Sequence, residues 1–254
     1  MILVVAEQRA GKLNRATWET VAAAQQIARG EPVTIVVPGS DVGSVAAELA
    51  VAQVERVVTL DHAALEPYTP DGYTAAIEQA VAHWSPSLVL LPHTYQTRDF
   101  APKLAARLDR ALITDVIGVK RGASGQTSFE RPMFQGKLTA DVVALGPAPH
   151  FVTFQIGAFR AERAARGASA APVQALEVTI DPDAIREKPD APFQEARQAV
   201  DLSQAERIVA VGRGIKGREH LAVAQRLAEA LGAELAASRP ICDAGWLPMD
   251  RQVG

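Results

Sequence analysis

The chain has 254 residues, of which 48% are hydrophobic and 22% charged, with 26 basic against 29 acidic side chains. So much apolar material excludes overall disorder, and a net charge of −3 excludes the basic footprint of a nucleic-acid binder. One cysteine, Cys242, excludes an internal disulfide and a cysteine-rich zinc site, and the strand-sized apolar runs exclude a spanning helix. With no secretory pattern at the start, the expectation is a cytoplasmic protein of one or two domains.

Short β-rich runs alternate with alanine-rich helical stretches. Residues 2–6 read as a buried strand. Residues 17–28, with Trp18, Val21, Ala22, Ala24 and Ile27 near helical period, read as a helix. Strand 33–37 ends at Pro38-Gly39-Ser40. Helix 42–52, strand 56–60, helix 71–84, strand 88–91 and helix 101–108 come next. This grammar predicts a parallel sheet covered on both faces. Between the last two elements, Pro92-His93-Thr94-Tyr95-Gln96-Thr97-Arg98-Asp99 stands at the carboxyl end of a strand, where α/β sheets place ligands. Its residue types form no phosphate grip, and it reads as a loop capping the next helix. Lys103, Arg107 and Asp109 read as solvated.

The pattern then changes. Runs 127–134 and 138–145, joined by Gln135-Gly136-Lys137, read as a hairpin, with further strands at 150–155 and 172–180. The sheet is therefore expected to gain antiparallel strands towards its edge. Asp181-Pro182-Asp183, Lys188-Pro189-Asp190 and Ala191-Pro192 make a stiff, solvated stretch. They suggest a domain over 1–185, a linker over 186–203 and an incomplete second domain over 204–254. Strand 207–211, turn 212–217, helix 219–231 and strand 234–237 restart the βα grammar.

Gly212-Arg213-Gly214-Ile215-Lys216-Gly217 matches G-x-G-x-x-G after a strand and before a helix. Such glycines let backbone N–H groups approach a pyrophosphate, and Arg213 and Lys216 add positive charge there. The alternative is a tight turn that binds nothing. The usual acidic ribose clamp is absent, and the next strand ends instead in Ser238-Arg239. A guanidinium at a strand end can pair with phosphate or favour negative charge on a flat ring, although spacing alone favours an ordinary surface arginine. The stretch from Cys242 to Asp250 suggests an ordered loop in which Cys242 is a buried small hydrophobe. The five histidines form no metal pattern, and no G-x-S-x-G elbow is present.

Taken in order, Gly212-Arg213-Gly214-Ile215-Lys216, Ala237-Ser238-Arg239, Asp243-Ala244-Gly245-Trp246-Leu247-Pro248-Met249-Asp250 and Gln252-Val253-Gly254 resemble the α subunit of electron transfer flavoproteins. The resemblance covers the whole chain, including the opening strand, Ile113-Thr114-Asp115-Val116-Ile117 and the hairpin at Gln135-Gly136. It implies an α/β protein: an N-terminal, mostly parallel sheet with added antiparallel strands, then the first part of a flavodoxin- or Rossmann-like FAD domain.

It also implies an electron carrier rather than a substrate-converting enzyme, working as a heterodimer with a β subunit that could hold AMP or a second flavin. Electrons would pass from dehydrogenases, such as acyl-CoA dehydrogenases, to a quinone-oxidoreductase-like respiratory acceptor. Carried over, Arg213 would contact the adenine-side phosphates or ribose. Ser238 and Arg239 would lie by the isoalloxazine, and Gln252, Val253 and Gly254 would begin the loop beneath it. No catalytic residue and no metal are expected. The family commonly has two glycines before the arginine where this chain has one. Its pattern also continues beyond Gly254, so a form shortened within the FAD-binding domain is expected. Two other classes fit parts of the sequence: a nucleotide-binding module without redox function, and an NADP-dependent oxidoreductase using Ser238-Arg239 for the 2′-phosphate.

Overall fold

Five apolar, β-branched runs make the centre of the first unit, because side chains that alternate across a pleat can fill both faces of a sheet at once. The computed structural model describes residues 1–122, 126–190, 202 and 205–254. These divide into two compact units, Met1–Pro189 and Asp190–Gly254.

In the first unit, β1 (Ile2–Val5) leads through the small ribbon β2 (Gln8–Arg9) and β3 (Lys12–Leu13) into α1 (Ala16–Ala28). Then come β4 (Val33–Gly39), α2 (Gly43–Leu49), β5 (Arg56–Asp61), α3 (Pro70–Trp84), β6 (Leu88–Pro92), α4 (Tyr95–Arg107) and β7 (Leu112–Val116). After β8 (Gly118–Arg121), β9 (Thr127–Met133) and β10 (Leu138–Val142), the chain returns as β11 (His150–Phe154) and β12 (Val173–Ala175). The large sheet has the order β12-β5-β4-β1-β6-β11-β7, and its pairs are parallel. Ile2 and Val4 face a core shared with α1 and α2; Leu3 and Val5 face a second core shared with α3 and α4.

Several expectations need correction. The hairpin forms, with Leu138 opposite Met133, but β8, β9 and β10 make their own antiparallel sheet and do not extend the edge of the parallel one. Turn chemistry determined the local pairing, whereas contact between β7 and β9 determines where the hairpin sits. Helix α4 starts at Tyr95, six residues before the expected start, because the Thr94 hydroxyl accepts the Thr97 N–H at 3.1 Å as an N-cap. The capping residue of the supposed loop is therefore real, while 95–99 is helix. Lys103 and Arg107 are not simply solvated: Lys103 pairs with Asp71, and Arg107 Nε lies 2.9 Å from Glu78 of α3.

Of the strand expected over 172–180, only β12 pairs with the sheet. The chain beyond β12 is pinned to α3, where the Gln79 amide bonds both the N–H and the carbonyl of Thr179. The expected linker over 186–203 falls mostly outside the described residues, since 191–201 and 203–204 are not among them.

The second unit contains β13 (Ile208–Val211), α5 (Leu221–Leu231), β14 (Glu234–Ala237) and the short α6 (Arg239–Asp243). β13 and β14 pair in parallel, with Ile208 opposite Glu234 and Val211 opposite Ala237. Ala224 and Ala228 of α5 pack with Val211, Leu235, Ala237, Ile241 and Cys242 into a small core. Among the described residues, no helix is long and apolar enough to cross a membrane.

Candidate functional site

Two carboxyl edges of parallel strands are candidates for ligand binding, and they differ in how their polar groups are used. In the first unit the strand order reverses between β1 and β6, which is where such sheets usually bind ligands. That crevice is filled from within. The Glu7 carboxylate, just past β1, accepts from the Thr94 hydroxyl and from Asn14 Nδ2 at 2.7 Å, while its own N–H donates to Thr17 Oγ1 at 2.9 Å. Burial pushes the Glu7 carboxyl above the ordinary carboxylate value. On the other side of β1, the buried Gln8 donates to the Pro38 carbonyl at 3.3 Å, and Tyr73 donates its hydroxyl to the same oxygen at 3.3 Å. Burial raises the Tyr73 phenol to about 12. Just past β6, His93 Nδ1 lies 2.8 Å from Thr153 Oγ1, and burial lowers the His93 pKa. The Pro92–Asp99 segment singled out in the sequence thus serves to close the crevice with protein groups.

The edge of the second unit is different. Parallel register brings Val211 level with Ala237, so the residues after each strand, Gly212 and Ser238, become neighbours. The Ser238 N–H donates to the Val211 carbonyl at 2.9 Å, and a Cβ built on Gly212 would lie 3.7 Å from Ser238 Oγ. A third stretch arrives alongside: Gln252 bridges Ala237 in parallel, and the Val253 N–H donates to the Ala237 carbonyl at 2.9 Å. Residues that are far apart in sequence thus meet along one edge.

The glycine-rich pattern does not open the helix directly, as its sequence context suggested. Two 3₁₀ turns, Arg213–Ile215 and Arg218–His220, separate β13 from α5. The left-handed position is taken by Lys216 at φ 67°, whereas Gly212 at φ −122° and Gly217 at φ −155° lie outside the left-handed region. What the motif supplies here is openness: Gly212, Arg213, Gly214 and Lys216 are all exposed. The turn is held from behind, where His220 Nδ1 lies 2.9 Å from the Ile215 carbonyl.

Ser238 stands immediately before α6 and Arg239 is its first residue. The guanidinium is 74% exposed, and its Nε lies 3.5 Å from Asp243 Oδ2 one turn on. Solvent screens this pair, so most of the positive charge remains available at the edge. Cys242 is buried in the small core, and burial raises its thiol pKa, as befits a packing residue. Gln252 and Val253 are half-buried and Gly254 exposed.

One residue of this region was missed from the sequence. Arg251 donates from Nη1 to Glu234 Oε2 at 2.7 Å and to the Leu235 carbonyl at 3.2 Å. It clamps the turn Met249–Arg251 onto β14 and so positions Gln252. No local motif announces it, because its acidic partner lies seventeen residues away.

Comparison with known proteins agrees in both units. The model of the electron transfer flavoprotein domain matches residues 2–181, and that of the electron transfer flavoprotein FAD-binding domain matches residues 201–254. The chain is 34% identical over 253 residues to the electron transfer flavoprotein subunit alpha of Bacillus subtilis (strain 168), covering 100% of this chain and 76% of that protein. It is 33% identical over 256 residues to the subunit of the same name from Thermoanaerobacterium thermosaccharolyticum, covering 100% and 77%. The acryloyl-CoA reductase electron transfer subunit beta of Anaerotignum propionicum is 30% identical over 282 residues, covering 100% and 77%.

Proposed function

Because this chain belongs to the electron transfer flavoprotein family, as an α subunit, we propose that it holds FAD at the carboxyl edge of β13 and β14 and works as a heterodimer with a β subunit. The convergence of Gly212, Ser238 and Gln252 at that edge, tied by the two 2.9 Å backbone bonds to Val211 and Ala237, carries the proposal. The exposed cations Arg213 and Lys216 suit an anionic cofactor, and the missing Cβ at Gly212 leaves the backbone open to it.

When bound, the isoalloxazine supplies one- and two-electron chemistry. The chain's own residues bind and bias it. Arg213 would hold the adenine-side phosphates or ribose. Ser238 and Arg239 would flank the ring, with the guanidinium favouring its negatively charged reduced forms. Gln252, Val253 and Gly254 would begin the segment beneath it. No acid or base is needed for this work, so the chain is an electron carrier. Residues 1–185 would dock the β subunit, 186–203 would link, and 204–254 would hold the flavin. The exposed apolar side chains Phe134, Leu138 and Leu145 in and beyond the β9–β10 hairpin suit a docking face.

AMP or a second flavin would belong to the partner. Electron donors would be flavin dehydrogenases such as those acting on acyl-CoA, and the acceptor a quinone-oxidoreductase-like respiratory protein, with the carrier in the cytoplasm.

Arg239→Ala, in the chain co-expressed with a β subunit, should lower the flavin midpoint potential while the blue and near-UV absorbance is retained. Arg239→Lys should keep most of the wild-type potential. A wild-type preparation that retains no flavin refutes the cofactor assignment, and a potential unmoved by Arg239→Ala refutes the role of that residue.

A further inference from the structure

A groove of about 690 Å³ lies in the first unit, between α1, the antiparallel sheet and the loop after β11. Its walls are apolar where Ala22, Ile117, Val119 and Phe159 line it. Its rim is cationic. Arg160 and Arg163 both line it, three residues apart across a 3₁₀ turn closed by the Arg163 N–H on the Arg160 carbonyl at 3.0 Å. Arg160 is the extended residue before the turn and Arg163 its last residue, and both border the same groove.

The local charges leave these two arginines uncompensated. Glu162, between them, is drawn to Arg15. Glu130, the acid lining the groove, lies 3.4 Å from Lys120, which also meets Asp141 at 3.0 Å. Neither Arg160 nor Arg163 has an anionic partner among the described residues. The groove is also preformed. Gln25 of α1 bonds the Gln53 carbonyl at 3.1 Å and both the carbonyl and the N–H of Ala165, at 3.0 and 2.8 Å, which pins the loop to the helix. Phe159 packs edge-on against Phe154, with ring centroids 5.1 Å apart.

We propose that this groove binds a phosphate monoester with a compact apolar body, the phosphate held by Arg160 and Arg163 and the body lying against Phe159, Val119 and Ile117. Paired guanidinium forks match phosphate oxygens, and a cavity of this size with apolar walls takes a small organic group. The proposal rests on residues of the first unit alone and does not depend on the flavin assignment.

Phenyl phosphate is the probe, titrated into the full chain by calorimetry and by amide NMR, with inorganic phosphate and phenol as controls. Phenyl phosphate should bind at least about tenfold more tightly than either control, because it engages both the charged rim and the apolar wall. The amide signals of Gly118, Phe159 and Ala165 should shift. Arg160→Ala/Arg163→Ala should abolish those shifts without changing the melting temperature, since both side chains are exposed and lose no protein partner. Equal affinity for inorganic phosphate would show a surface anion patch only and overturn the proposal. So would undiminished binding by the double variant, or shifts that map to another part of the chain.

Discussion

Replacing Arg251 with alanine tests whether the candidate cofactor edge depends on the clamp beside it. The bond from Arg251 Nη1 to the Leu235 carbonyl is charge-assisted and part-buried, and such bonds contribute about 1–2 kcal/mol. The pairing with Glu234, a carboxylate 42% exposed, adds less than about 1 kcal/mol after solvent screening. The loss is therefore about 1–3 kcal/mol, or about 5- to 150-fold in the equilibrium between docked and detached turn. Hydrogen exchange at the Val253 amide, which bonds the Ala237 carbonyl in the docked state, should accelerate by up to that factor. FAD affinity, measured by flavin fluorescence in the reconstituted heterodimer, should weaken by no more than the same factor, and Arg251→Lys should fall between. Unchanged exchange at Val253 would refute the clamp. Accelerated exchange with unchanged affinity would refute the placement of Gln252 and Val253 in the cofactor site.

Glu7→Gln should alter the pH dependence of stability. Burial raises the folded pKa of Glu7 above its ordinary 4.5, so its contribution is fully present below the unfolded value and is lost as pH rises through the folded one. Urea melts at a series of pH values should show the variant gaining on wild type from about pH 4.5 upwards and then levelling off; a flat or falling difference would contradict the burial argument. Phe151→Ala removes a fully buried ring from β11, between β6 and β7, and should cost about 3–5 kcal/mol in urea denaturation of the first unit. A loss below about 1 kcal/mol would mean that this face of the sheet is not a close-packed core.

What could be read from the sequence depends on the range of the forces involved. Runs such as Val33–Val37 and Leu88–Leu91, in which Thr34 is the one polar residue, announce strands because both faces are buried, and α1, α2 and α3 fall within three residues of expectation. The start of α4 was hidden because Gln96, Thr97, Arg98 and Asp99 show no apolar period and Pro102 lies inside the helix. Only the hydroxyl of Thr94, facing the Thr97 amide, marks the boundary. Lys103 and Arg107 looked solvated because their acidic partners, Asp71 and Glu78, lie on another helix. The same limit applies at the candidate site. The motifs around Gly212, Ser238 and Gln252 were visible one by one, but the first two meet through the β13–β14 register and the third through its bridge to Ala237.

The two carboxyl edges differ in their polar groups in the same sense as the sequence reading, which takes the glycine-rich stretch as a phosphate approach and the His93 segment as a loop capping the next helix. At the first edge a half-buried carboxylate, Glu7, stands where a phosphate would have to enter, and hydroxyl and amide donors already satisfy it. A phosphate entering there would meet like charge and displace made hydrogen bonds, each of which is costly to leave unmade in a buried site. At the second edge no acidic group of the described residues lies within 4 Å of a Cβ placed on Gly212, and the positive charges of Arg213, Lys216 and Arg239 remain exposed. Neither edge needed a change of fold to reach its state. One carboxylate after β1, and exposed cations after β13, favour the second edge over the first as the place for an anionic cofactor.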